Sequence, residues 1–389
     1  MKPKNETPLV FIVAGEYSGD HLGATLMAAM KRLTGGRVKF AGVGGPAMGR
    51  EGLDSLFPMS DLAVMGLAEI LPRARRLLRR LTATARAVRE LAPDLVITVD
   101  SPGFCLRLGE RIRGLGITRV HYVAPQLWAW NPRRGHKLAG QVDHLLALFP
   151  FEPEFFAPFG VPCRFVGHPI VEYGVDDGDG KAFRQRHAIP ADATVVAVLP
   201  GSRESEVRRL LPVFGDVVAR LADKRQDLVA VVCSVESQAG GIARAIANWP
   251  VPTIQVSGQV EKYDAFAACS AAVTKSGTIT LELTLAGVPM VVAHKVSGFT
   301  ALVARRLLNV SNVSLVNLLA GERLVPELLQ EDCRAEKITA EIEKLLDEPA
   351  VRQAQLFGFE RAVTSLGGTT PPPSERAARA VLEFLGDSA

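Results

Sequence analysis

Cysteine is scarce in this chain of 389 residues, and its five positions, Cys105, Cys163, Cys233, Cys269 and Cys333, are odd in number and far apart. That pattern argues against a disulfide framework and has no zinc spacing, so it predicts reduced core thiols in a cytoplasmic protein. No apolar run approaches the roughly 20 residues that span a bilayer. The polar stretch Met1 to Pro8 leads straight into a short strand with no signal-peptide pattern, which again predicts a cytoplasmic chain, with contact to a membrane surface left open. An excess of one charge is missing too: 45 Lys and Arg face 41 Asp and Glu, a net +4 that does not point to nucleic acid. The full dinucleotide glycine fingerprint is also absent. Gly42-Val43-Gly44-Gly45 fails it, which argues against a nicotinamide-binding domain, and no cofactor is expected.

What is present is alternation. Apolar strand-like runs at Leu9 to Ala14, Val38 to Val43, Leu95 to Val99, Arg119 to Val123, His144 to Phe149 and Arg164 to Val166 are separated by helical patterns. A second series follows at Val195 to Leu199, Leu228 to Cys233, Thr253 to Val256, Ala271 to Thr274 and Met290 to Ala293. Such alternation predicts α/β domains with doubly wound parallel sheets. A chain this long is expected to form two of them. The boundaries read as a first domain over 1–174, a linker over 175–192, a second domain over 193–366, and a linker with a terminal helix over 367–389. That helix carries Leu382, Phe384 and Leu385, which need burial, so it should dock on the first domain or on a partner subunit. Asp177-Gly178-Asp179 formally matches an Asp-x-Asp metal motif, but no apolar strand leads into it and no metal is expected there.

In parallel sheets ligands gather beyond the carboxyl ends of the strands, so polar, glycine-punctuated turns there are candidate sites. Three stand out. Gly15-Glu16-Tyr17-Ser18-Gly19-Asp20 follows the first strand. Pro200-Gly201-Ser202-Arg203 ends another strand and opens the helical pattern Glu204 to Ala222, whose first N–H groups can face an anion while Gly201 allows close approach and Arg203 offers a planar fork of donors. The alternative is that Ser202 caps the helix and Arg203 pairs with Glu206 at the surface. Lys275-Ser276-Gly277-Thr278 leads to Glu282 one turn into a helix; backbone and hydroxyl donors at Ser276, Gly277 and Thr278 suit phosphate, and a carboxylate at Glu282 suits a ribose diol. Two anion-suited turns in one domain favour a nucleoside diphosphate.

Asp100 ends a strand before Ser101-Pro102-Gly103, either as a general base in the crevice or as the cap of a turn. Trp128 and Trp130, beside Arg133, Arg134 and Lys137, could floor a sugar or acyl pocket or pack at a domain edge. From 65 to 81 apolar residues recur at helical spacing, including Leu67, Ile70, Leu71, Leu77 and Leu78, with Arg75 and Arg76 among five arginines crowded beside them. Such a helix suits an anionic membrane surface, or else packs its leucines on the sheet and solvates its arginines.

Taken in order, Ala14-Gly15-Glu16-Tyr17-Ser18-Gly19-Asp20, Ala63-Val64-Met65-Gly66-Leu67-Ala68-Glu69, His121-Tyr122-Val123-Ala124-Pro125 with Trp128-Ala129-Trp130, Leu199 to Arg203, and Ser314-Leu315-Val316-Asn317-Leu318-Leu319-Ala320-Gly321 resemble the lipid-A-disaccharide synthases over nearly the whole chain. The resemblance implies a GT-B architecture of two Rossmann-like domains facing a cleft, and an inverting, metal-independent transfer from UDP-2,3-diacylglucosamine to 2,3-diacylglucosamine 1-phosphate (lipid X). It implies Asp100 as the catalytic base, with Glu16 and Asp20 next in line. Gly201, Ser202, Arg203, Ser276, Gly277, Thr278 and Glu282 fall to the UDP-sugar, and Gly15, Glu16, Ser18, Gly19, Asp20 and Asn317 to the acceptor side. It also implies a homodimer with exchanged C-terminal segments and attachment to the inner face of the cytoplasmic membrane. One departure is Cys105, where the family has Asn. Rival readings are another UDP-sugar transferase, a UDP-N-acetylglucosamine epimerase, or a two-lobed anion-binding protein without catalysis.

Overall fold

The structure, a computed structural model, describes residues 7–62, 67–296, 312–368 and 370–387, with the side chains of 67–73, 130 and 387 left out. The chain forms two compact units, one taking the residues up to Pro169 and again from Leu366 onward, the other taking Ile170–Ser365. Each is built on a six-stranded sheet.

In the first unit the strands are β1 (Leu9–Ala14), β2 (Lys39–Val43), β3 (Leu95–Val99), β4 (Thr118–Tyr122), β5 (His144–Ala147) and β6 (Cys163–Phe165), in the order β2-β1-β3-β4-β5-β6. All neighbours are parallel. Their apolar runs are continuous because helices cover both faces and leave no side of the sheet for water; every residue of β3 is buried. The second unit contains β7 (Thr194–Leu199), β8 (Leu228–Ser234), β9 (Thr253–Ser257), β10 (Ala271–Lys275), β11 (Met290–His294) and β12 (Glu327–Leu329), ordered β12-β11-β10-β7-β8-β9 and likewise parallel.

Both sheets reverse direction once near their middle. The chain leaves β1 for β2 on one side and returns to β3 on the other; it leaves β7 through β8 and β9 and returns to β10 on the other side. Flanking loops diverge at such a point and open a crevice outside the strand ends. One therefore lies between the ends of β1 and β3, and the other between the ends of β7 and β10.

The terminal helix Pro373–Asp387 packs on the helix Tyr17–Thr34 of the first unit. Small residues on its inner face, Ala377, Ala378, Ala380 and Val381, are buried. Phe384 stacks on His144 with ring centroids 3.8 Å apart. Among the described residues all five cysteines are free thiols, and no group of three or more His, Cys, Asp or Glu is gathered as a metal would require. Asp179 instead caps the helix Gly180–Arg186 by accepting from the Ala182 N–H at 2.9 Å.

Candidate active site

At the β1–β3 reversal the backbone leaves the sheet under strain. Asp100 and Ser101 follow β3 with φ of 52° and 43°, two consecutive left-handed residues, neither a glycine. Each such residue costs on the order of 1 kcal/mol or more, and strain of this kind concentrates where a side chain must be held in a set place. The neighbouring strand end is also forced: Val123, just past β4, has φ of 77°, unusual for a β-branched residue. Asp100 is tied across by its N–H donating to the Tyr122 carbonyl at 2.9 Å.

The first turn closes over this loop. The Ser101 hydroxyl donates to Glu16 Oε1 at 3.2 Å, and the Ser18 hydroxyl reaches Asp100 Oδ2 at 3.5 Å. Gly15 has to be glycine here, because a Cβ would sit 2.7 Å from Ser101 Oγ; Gly19 has only the 3.2 Å between its missing Cβ and the Val99 carbonyl. Burial raises the Asp100 carboxyl above the ordinary range, opposed by hydrogen bonds from the Ser101 backbone and the Ser18 side chain. A carboxylate so placed is a better proton acceptor than one in water. Ser101, which joins the two halves, carried no signal of its own in the sequence.

Three other side chains in this unit have definite places. Asp20 does not face the crevice. It is 3% exposed and accepts from the N–H groups of Gly45, Ala47 and Met48 at 2.8, 2.9 and 3.0 Å, capping the helix Pro46–Arg50. With both oxygens so engaged it is no reserve base. Cys105 is buried in the apolar cluster with Phe104 and Leu108, where burial and then the nearby Asp100 push its thiol well up, opposed by a backbone hydrogen bond at Val99. Trp128 is also buried, its indole N–H donating to Glu152 Oε1 at 3.2 Å and its ring set edge-on to Phe151. It packs the unit rather than flooring a sugar site.

The β7–β10 reversal has the opposite character. Arg203 is the N-cap residue of the helix Glu204–Ala222, and Glu206 reaches back to it. The Ser202 and Arg203 N–H groups both donate to Glu206 Oε2 at 3.3 Å, and Arg203 Nη1 donates to Oε1 at 3.1 Å. The cap is thus Arg203 with Glu206, not Ser202. Gly201 has φ of 114°, and a Cβ there would lie 2.5 Å from Glu206 Oε2, so glycine makes room for this carboxylate. Lys275, the last residue of β10, brings its Nζ to 3.1 Å from Glu206 Oε1. Burial would raise the Glu206 carboxyl, but Lys275 and Arg203 hold it below the usual range. Next to them His294 ends β11; burial and the Lys275 charge lower its imidazole. His294 carried no signal in the sequence and Lys275 only opened its turn; the strand register brings both beside Glu206.

The remaining residues expected in this unit divide. Thr278 is exposed at the start of the helix Ile279–Leu285, and among the described residues Gly277 has only Lys275 Nζ within reach of a Cβ, at 3.3 Å. Ser276 is buried and its hydroxyl already donates to the Val313 carbonyl at 2.8 Å, so its proton is not available to a phosphate. Glu282 Oε2 lies 2.5 Å from Lys262 Nζ, a charge contact without hydrogen-bond angles. Asn317 is fully buried, exchanging bonds with the Val325 backbone at 2.8 and 2.9 Å and with Glu327 at 2.8 Å. It fastens the helix Leu315–Ala320 to β12 and is not a cleft residue.

The arginine-leucine helix is Leu67–Leu91. Residues 65 and 66, and the side chains of Leu67, Ile70 and Leu71, lie outside the described residues. Leu77 packs against the core of the first unit, whereas Leu78 is 49% exposed beside exposed Arg75 and Arg79. Arg76 and Arg80 pair with Asp61 at 3.4 and 2.6 Å. Leu77 thus belongs to the packing face, a correction to its place in the patch. No described helix is long and apolar enough to cross a membrane.

The description lipid-A-disaccharide synthetase matches residues 10–366. The chain belongs to that family. The lipid-A-disaccharide synthase of Rhodospirillum centenum is 51% identical over 97% of this chain and 94% of its own length. That of Granulibacter bethesdensis is 46% identical over 97% and 99%. Among solved structures, a Neisseria meningitidis UDP-GlcNAc 2-epimerase bound to UDP-GlcNAc superposes with a TM-score of 0.63 at 11% identity, covering 97% of this chain and 99% of that one. Acinetobacter baumannii MurG gives 0.58 at 14%, with coverage of 97% and 99%. These likenesses fix the fold as GT-B, two Rossmann-like units, and membership of the lipid-A-disaccharide synthetase family makes the chain a glycosyltransferase of lipid A biosynthesis.

Proposed function

We propose that this synthetase joins UDP-2,3-diacylglucosamine to 2,3-diacylglucosamine 1-phosphate, giving a β-1,6 disaccharide and UDP, with Asp100 as general base and the β7–β10 crevice holding the diphosphate. The observation that carries this reading is the strained, partly desolvated Asp100 carboxylate at one sheet reversal, in a chain of this family. The acceptor 6-hydroxyl attacks the anomeric carbon as the bond to UDP breaks; its proton passes to Asp100, and the configuration inverts in one step. The leaving diphosphate is stabilised by Arg203 and by the N–H groups after Gly201 and Gly277. Glu16, through Ser101, holds the loop that aims Asp100. Incubating the protein with the two lipid substrates, followed by mass detection, should yield the disaccharide and UDP together. UDP released without disaccharide would point to a hydrolase or an epimerase instead.

Membrane contact at the inner face of the cytoplasmic membrane is part of the same proposal. Acyl chains contribute about 0.8 kcal/mol of burial per methylene, which keeps the substrates at the bilayer. The exposed Leu78 with Arg75 and Arg79 offers a surface suited to anionic head groups. Leu78→Ser should release the protein from anionic vesicles in co-sedimentation with its unfolding temperature unchanged, whereas Leu77→Ser should lower that temperature. Binding of Leu78→Ser equal to wild type would remove this surface from the account. A homodimer with exchanged C-terminal segments belongs to the same proposal: in it the terminal helix takes, on a partner, the surface that it covers here on its own first unit, and the mass in solution tests for the dimer.

A further inference from the structure

The β7–β10 crevice gathers more charge than a helix cap needs. A Glu three residues into a helix satisfies the N-cap N–H by itself. Here the same carboxylate also takes a guanidinium from its own turn and an ammonium from the neighbouring strand, with Lys275 Nζ and Arg203 Nη1 both 3.1 Å from Glu206 Oε1. Lys275 and Glu206 keep only 17% and 13% of their side-chain surface, whereas Arg203 keeps 65%. Lys275 Nζ also lies 3.3 Å from where Gly277 would carry a Cβ, so the ammonium stands over the second turn while touching the carboxylate of the first. The imidazole of His294, at the end of the next strand, has its Nδ1 buried without a hydrogen-bond partner among the described residues. An oxyanion entering between the two turns meets two cations and two backbone donors that are all directed at one carboxylate.

We propose that Lys275 is a second cation for the diphosphate leaving group, and that Glu206 is the carboxylate on which it rests when no diphosphate is bound. This rests on the reading that the second unit holds the UDP-sugar. On entry of the nucleotide, the Lys275 ammonium exchanges a carboxylate oxygen for a phosphate oxygen and moves little, because both lie over the same turn. Arg203, far more exposed, makes the larger movement. Glu206 therefore acts as a positioning residue: it keeps two like charges together in the free protein and competes with the ligand for them.

Titration of the full chain with UDP and with uridine tests this. Lys275→Met should weaken UDP binding about 10- to 100-fold, the worth of one charge-assisted hydrogen bond, leave uridine binding within about twofold, and flatten the salt dependence of UDP binding. Lys275→Arg, which keeps the charge, should restore most of the affinity. Glu206→Gln should bind UDP more tightly than wild type, by about threefold or more, since it removes the competing charge but keeps a cap acceptor. UDP binding by Lys275→Met equal to wild type overturns the assignment of Lys275, and weaker UDP binding by Glu206→Gln overturns the competition. If Arg203→Ala also leaves UDP binding unchanged, the broader reading of this crevice fails; if Arg203→Ala weakens it while Lys275→Met does not, only the present inference fails.

Discussion

The two sheet reversals are built alike and charged oppositely. Between β1 and β3 the chain collects acids: Asp100 and Glu16 share the hydroxyls of Ser18 and Ser101, and the backbone is held in left-handed conformations to keep them there. Between β7 and β10 it collects cations, Arg203 and Lys275, and offsets them only in part with the single carboxylate of Glu206. Burial raises one carboxyl, while adjacent cations hold the other down. Environment, not residue type, sets the role: one carboxylate is poised to take a proton at a strained strand end, the other to stay ionised as a counter-charge.

The sharpest way to break this comparison is to remove one carboxylate and ask which property changes. Asp100→Ala should lower the transfer rate about 10²- to 10⁴-fold with UDP affinity unchanged, measured by turnover and by titration on the same sample. Full activity in that variant would move the base elsewhere, with Glu16 as the acid left beside the loop. A smaller effect separates the two by pH. As pH falls through the raised pKa of Asp100, the base is lost and kcat/KM should drop roughly tenfold per unit, beginning above the ordinary aspartate range. Over that interval Glu206, whose pKa is depressed, stays ionised, so the dissociation constant of UDP should remain flat. A dissociation constant that follows the rate would show the two crevices titrating together and remove the distinction.

Much of the fold was legible because parallel strands buried on both faces must be continuous apolar runs, and the turns that follow them must be polar. β12 was not, since Glu327–Leu329 is three residues long and begins with a carboxylate that accepts from the Val313 and Ser314 N–H groups at 2.8 and 2.9 Å. Nothing local to Glu327 announces that use. The same holds at the site. Glycine-punctuated turns revealed where ligands gather, but the sequence could not tell a crevice acid from a capping acid. Asp20 finds its three donors 25 to 28 residues away. Lys275 reads in the sequence only as the residue that opens its turn, and the parallel pairing of β7 and β10 brings it to Glu206. Leu77 and Leu78 are adjacent in an even arginine-leucine pattern, yet which of them faces the core depends on how the helix Leu67–Leu91 is rotated.

The terminal helix has a consequence for how the molecule is made. Because Pro373–Asp387 covers the helix that follows β1, that face of the first unit is closed by a segment made after the whole of the second unit. Ile170–Ser365 is a continuous stretch and has no such wait. Synthesis from the N-terminus usually lets the first domain fold first; in this protein the unbroken stretch is the second unit, while the first must wait for a segment that follows it.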